Sequence, residues 1–288
     1  MSRRVVLIVG IALFALTAGD ARASRPQVTV IGDSVLTGVQ YNPAPLAVLT
    51  NGIDVRLEIG ICRTLSGVSC PFQSDRVPTL IDLARTQGAE LGRVVLVEVG
   101  YNDPPATFAQ SVEDSITALL AAGVEKILWA NLSGFDPSRL AKNQILAAAT
   151  REHPELTVID WHSVSLGKYS WFQNDQTHLR YDGAMAMATL FHAALVRSLA
   201  PPFVVVSHSL PLAIVGRTYT AHLAARGGVA PYTWRIVNRR LPRGLTLRPD
   251  GLITGHPRHS GQWRIVVQAT DATGQTATMP LVLRDLGR

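Results

Sequence analysis

Five short apolar, β-branched runs, at 27–31, 55–59, 93–99, 126–130 and 157–161, recur through the first 200 residues of this 288-residue chain. The third holds Val94, Val95, Leu96 and Val97 without a break. A strand with one wet face alternates apolar and polar residues, whereas an unbroken run is buried on both faces. Helical patterns lie between the runs, at 77–86, 108–121, 138–152 and 184–199. The second places Val112, Ile116, Leu119 and Leu120 on one side, and Asp182 stands as N-cap of the last. This alternation predicts an α/β fold: a doubly wound, five-stranded parallel sheet with its ligand site beyond the carboxyl ends of the strands.

Pro201 and Pro202 end that pattern. Short alternating segments follow at 203–207, 218–223, 232–236, 245–247, 264–270 and 276–283, punctuated by Gly and Pro, which predicts a small all-β sandwich over 201–288. Charge changes at the same point. Residues 24–200 carry 13 Lys and Arg against 17 Asp and Glu, and residues 201–288 carry 11 arginines against three Asp. A small basic domain points to an anionic surface polymer as partner; a solvated arginine face is the plainer alternative. No basic-aromatic interleaving points to nucleic acid.

The first 23 residues read as an address. Arg3 and Arg4 precede an apolar stretch from Val5 to Ala18, and Ala21-Arg22-Ala23 supplies a small-x-small cleavage site. A cleaved signal peptide and a retained anchor both fit; either exports the remainder to the cell envelope or beyond, with no later span of membrane length. Export makes a disulfide between Cys62 and Cys70 the expected state, against two free buried thiols.

Four segments fall where strands end: Gly32-Asp33-Ser34, a turn at Gly60, Gly100-Tyr101-Asn102-Asp103 and Asp175-Gln176-Thr177-His178. Ser34, after a strand and a glycine, presents its hydroxyl at the sheet edge and needs a base to become a nucleophile. His178 is that candidate base, and Asp175 three residues earlier reaches its Nδ1 and sets the tautomer. The Asn102 amide and backbone N–H groups at Ser34 and in the loop after the second strand are candidate oxyanion donors. Each segment alone has a plain structural reading: a helix cap, a surface His, an Asx turn.

In this order the four blocks resemble the GDSL/SGNH hydrolase family over roughly 27–199. The resemblance implies a flavodoxin-like sheet and ester hydrolysis or acyl transfer through an acyl-serine, without metal or cofactor. Ser34, Asp175 and His178 map to the catalytic triad, and Ser34, Gly60 and Asn102 to the oxyanion hole, with Cys62 competing with Gly60 as backbone donor. The first block reads Gly-Asp-Ser-Val rather than Gly-Asp-Ser-Leu. Trp171 and Phe172 either wall the substrate site or anchor the loop before the Asp-His pair. The other histidines, His153 and His192 among them, have no evident partners. Farther on, 241–247, 250–257 and 270–274 resemble the immunoglobulin-like modules of bacterial surface proteins. The expected activity is that of an exported serine esterase removing or transferring a small acyl group, such as acetyl, on a glycan. The alternatives are a lipid-directed esterase or thioesterase, and a non-catalytic surface-binding protein.

Overall fold

The computed structural model describes residues 27–287 apart from Phe135 and Arg239, so the expected signal segment lies outside the described residues. Strands β1 (Gln27–Gly32), β2 (Asp54–Ile59), β3 (Val94–Glu98), β4 (Lys126–Ala130) and β5 (Leu156–Ile159) form one parallel sheet in the order β2-β1-β3-β4-β5. In β1, Val28 and Val30 face one core and Ile31 the other; in β3, Val94 and Leu96 oppose Val95 and Val97. The unbroken runs thus fill two cores by simple alternation.

The helices are α1 (Thr37–Gln40), α2 (Pro43–Leu49), α3 (Leu80–Gln87), α4 (Phe108–Ala121), α5 (Pro137–Ala149), α6 (Trp161–Ser165) and α7 (Tyr181–Leu199). Leu49 of α2 and Met187, Phe191 and Leu195 of α7 close the first core; Leu83 of α3, Ile116 of α4 and Leu146 of α5 close the second. The helix expected from residue 77 starts three residues later. Pro78 disfavours helical backbone before it, and Thr79 and Asp82 form a reciprocal capping box at Leu80. Asp182 is not the N-cap of α7. Arg180 holds that position without a side-chain bond, and Asp182 lies inside the first turn, where its charge still complements the helix dipole.

Residues beyond α7 build sheets of a different kind: β6 (Val204–Val205), β7 (Ala213–Ile214), β8 (Tyr219–His222), β9 (Ala225–Arg226), β10 (Thr233–Asn238), β11 (Leu245–Leu247), β12 (Leu252–Gly255), β13 (Gly261–Thr270) and β14 (Thr276–Leu286). A four-stranded sheet, β10-β13-β14-β7, and a three-stranded sheet, β11-β12-β8, enclose Trp234, Ile253, Val267 and Leu283. The β13–β14 hairpin turns on Asp271, whose Oδ1 accepts from the N–H groups of Thr273 and Gln275.

Candidate active site

Register sets the site. Gly32 pairs with Ile59 on one side and Glu98 on the other, so β1, β2 and β3 end at one level. The chain leaves β1 into a 3₁₀ turn, Ser34–Leu36, capped by the buried Asp33, whose Oδ1 accepts from the Val35 N–H at 3.0 Å. Asp33 N–H donates to the Glu98 carbonyl at 3.1 Å, which ties the turn to the end of β3 and lifts Ser34 above the sheet.

His178 Nε2 lies 2.9 Å from Ser34 Oγ, and Asp175 Oδ2 lies 2.6 Å from His178 Nδ1. Asp175 Oδ1 also accepts from the N–H groups of Thr177 (2.9 Å) and His178 (3.0 Å). Partial burial opposes the charge of Asp175, but these bonds, led by that to the imidazole, hold its carboxyl down at about 2. Gln176, between the two, sits at φ +53°, a left-handed conformation unusual for a residue with a side chain. The pair is open to solvent: the His178 and Asp175 side chains are 38% and 47% exposed.

Asn102 follows β3 and gives its amide protons to the Arg63 carbonyl (3.1 Å) and to Asp33 Oδ2 (3.3 Å). The amide is therefore anchored inside the protein, with the longer of its two bonds going to Asp33. Gly60 is corrected as a backbone donor. Its N–H is spent on the Gly32 carbonyl at 3.0 Å, continuing the β1–β2 ladder. Its lack of a side chain serves packing: a Cβ there would stand 2.6 Å from the Arg63 guanidinium, whose Nε donates to Gly32 O at 3.2 Å. Cys62, at φ +66°, is the remaining candidate backbone donor in this loop, and it is bonded to Cys70 as expected.

Trp171 and Phe172 anchor the loop. Trp171 stacks on the buried Trp161 with centroids 6.0 Å apart, and Phe172 is buried in the same core. His153 has a partner the sequence did not reveal, Glu113 Oε2 at 2.7 Å, and His192 Nδ1 meets the Leu49 carbonyl.

Three residues, Glu98, Lys142 and Arg139, went unnoticed in the sequence, and Asp103 stood there only as the end of a block. Glu98 interrupts the apolar run of β3 with a carboxylate that is 2% exposed and lies behind the Ser34 turn. Burial raises its pKa well above the carboxylate range, and the neighbouring Asp33 charge raises it further; burial raises Asp33 as well. Asp103 is pushed up to about 6 by burial, against the Leu65 N–H and Lys142. From α5, the buried Lys142 Nζ donates to the carbonyls of Gly100 (2.8 Å) and Asp103 (2.5 Å), clamping the loop that carries Asn102. One turn earlier, Arg139 reaches the Gln176 carbonyl and Thr177. A Glu inside an unbroken strand run, and a Lys one turn before Leu146 on the buried side of a helix, were the available signals.

Residues 201–284 match a family described as "Putative Ig domain". No curated protein matches the chain. Similar solved structures include a carbohydrate esterase family 3 protein from Talaromyces cellulolyticus, at 14% identity and a TM-score of 0.44, covering 60% of this chain and 97% of that one. TesA is similar at 18% identity and a TM-score of 0.46, covering 60% of this chain and 99% of that one. A Bacteroides fragilis protein described as a "putative alpha-galactosidase" is 24% identical, with a TM-score of 0.25; the match covers 27% of this chain and spans only 16% of that protein.

Proposed function

We propose that this chain is an exported serine esterase. In this reading residues 24–200 act as the catalytic unit, and residues 201–288 as a binding unit holding it near an anionic surface polymer. The substrate is a small acyl ester, acetyl in the first instance, on a glycan. The observation that carries the reading is the continuous relay from Ser34 through His178 to Asp175 at the carboxyl ends of the strands.

In the proposed reaction Ser34 Oγ attacks the ester carbonyl while His178 Nε2 takes its proton. Asp175 keeps Nδ1 protonated and stabilises the imidazolium. Asn102 and the Ser34 N–H, with Cys62 N–H as the third candidate, meet the oxyanion. His178 then protonates the leaving alcohol, and water or a second hydroxyl repeats the sequence on the acyl-serine.

The disulfide supports an oxidising compartment, and the open triad suits an ester presented on a bulky polymer. For the binding unit, Arg235, Arg264 and Arg284 lie exposed on the outer face of the four-stranded sheet. The acidic side chains there do little to offset them: Asp250 pairs with Arg248, Asp271 is committed to its turn, and Asp285 is buried.

A p-nitrophenyl ester series from acetate to decanoate tests the reading. Turnover fastest on acetate and absent in Ser34→Ala is expected. No turnover by the wild type removes the esterase, and rates rising with chain length replace the glycan ester by a lipid one.

A further inference from the structure

Three loops converge on Arg139, in the first turn of α5. Its Nη1 donates to the carbonyls of Ser133 (3.2 Å), after β4, and Gln176 (3.4 Å); its Nη2 donates to Thr177 Oγ1 at 2.7 Å. The guanidinium lies 5.0 Å from the centroid of the Tyr101 ring, in the loop after β3. Tyr101 in turn accepts from the Ser133 N–H at 2.8 Å and bonds its hydroxyl at 2.9 Å. Gly134, at φ +101°, leaves room for the guanidinium: a Cβ there would stand 3.0 Å from Nη1.

All these partners are neutral, so the charge is spent on positioning backbone and a hydroxyl. The two residues gripped from the Asp-His loop are the two between Asp175 and His178, one of them left-handed. We propose that Arg139 is a positioning residue: it locks Gln176 and Thr177 so that Asp175 stays on His178 Nδ1 and Nε2 stays on Ser34. This rests on the esterase reading for its effect on rate, but not for its effect on the loop. A planar fork that stacks on Tyr101 while donating to two loops is a task for arginine; a lysine offers one point charge.

The test compares Arg139→Ala and Arg139→Lys with the wild-type full chain by steady-state kinetics on p-nitrophenyl acetate, and by NMR amide exchange at Thr177 and His178. Arg139→Ala is expected to lower kcat about 10- to 100-fold with KM within about twofold, since a misplacement near 1 Å far from the reacting atoms costs that much. The two amides, bonded to Asp175 Oδ1, are expected to exchange at least about tenfold faster while the α4 amides keep their rates. Arg139→Lys is expected to recover only a small part. If Arg139→Ala does not fold, Arg139→Met, which keeps the apolar stem and loses every donor, is expected to shift both readouts in the same direction; Thr177→Val would not separate the effects, because its hydroxyl also donates to the Asp175 carbonyl at 3.1 Å. Unchanged exchange at both amides overturns the proposal, and so does a raised KM with kcat intact, which makes Arg139 a substrate contact. Accelerated exchange in a protein whose wild type turns nothing over upholds the loop lock and sinks the esterase instead.

Discussion

His178 Nε2 stands 2.9 Å from Ser34 Oγ across 144 positions of sequence. One residue leaves the first strand, and the other precedes the last helix of the same sheet. Order along the chain puts them at one edge, and the Asp175 bond at 2.6 Å turns the imidazole so that its second nitrogen meets the hydroxyl.

Removing Ser34 or His178 is expected to lower kcat by about 10⁴-fold or more, and Asp175→Asn by about 10⁴-fold, because the wrong tautomer then faces Ser34. The losses are expected to be far from additive. Kinetics of the three single variants and the Ser34→Ala/His178→Ala double variant on p-nitrophenyl acetate check this; additive losses contradict a relay.

Asn102→Ala is expected to lower kcat about 10²- to 10³-fold, the usual cost of losing one oxyanion donor, with KM little changed. Gly60→Ala should act differently. Its N–H already serves the sheet, so the loss comes from the clash with Arg63 and appears as a lowered thermal midpoint. An Asn102→Ala variant with wild-type kcat removes Asn102 from the oxyanion hole.

Glu98, Asp33 and Asp103 are buried carboxyls whose folded pKa lies above the unfolded one. Such groups hold protons more tightly when folded. Their stabilisation is complete below about pH 4 and fades as pH rises through the folded values, about 6 for Asp103. Asp175, shifted down, acts in the opposite sense and only toward about pH 2. The thermal midpoint should therefore fall between about pH 4.5 and 7.5, and Glu98→Gln, which cannot ionise, should flatten that fall. A wild-type midpoint rising across this window contradicts the assignment.

The Cys62–Cys70 bond closes a loop with a sequence separation of eight residues, worth about 2.5 kcal/mol in the chain-entropy estimate. Cys70→Ser is expected to lower the midpoint by several degrees. It should also lower kcat if Cys62 is the backbone donor, because its left-handed turn loosens without the bond. Melting and kinetics with and without reductant check both; a lowered midpoint with unchanged kcat takes Cys62 out of the oxyanion hole.

Most of the sheet was legible because a fully buried strand leaves a distinctive trace: Val94 to Val97 has no polar side to show. The short helices α1 and α2 left none, since Pro43 and Pro45 look like loop residues until Asn42 starts a helix on them. That Ser34, His178 and Asp175 would meet was legible because a candidate nucleophile, base and carboxylate are specific side chains in a fixed order. The backbone donor was not. A glycine in sequence does not say whether its N–H is free, and the ladder to Gly32 took that of Gly60. Arg139 and Lys142 were hidden for another reason: a cation on an alanine-rich helix looks solvated until the loops it holds are in place.

Mass spectrometry of the acyl-enzyme tests the central claim most directly. Wild-type protein mixed with p-nitrophenyl acetate and quenched in acid should gain one acetyl group on the peptide containing Ser34, and Ser34→Ala should gain none. An acetyl group on another residue, or turnover that persists in Ser34→Ala, contradicts the account.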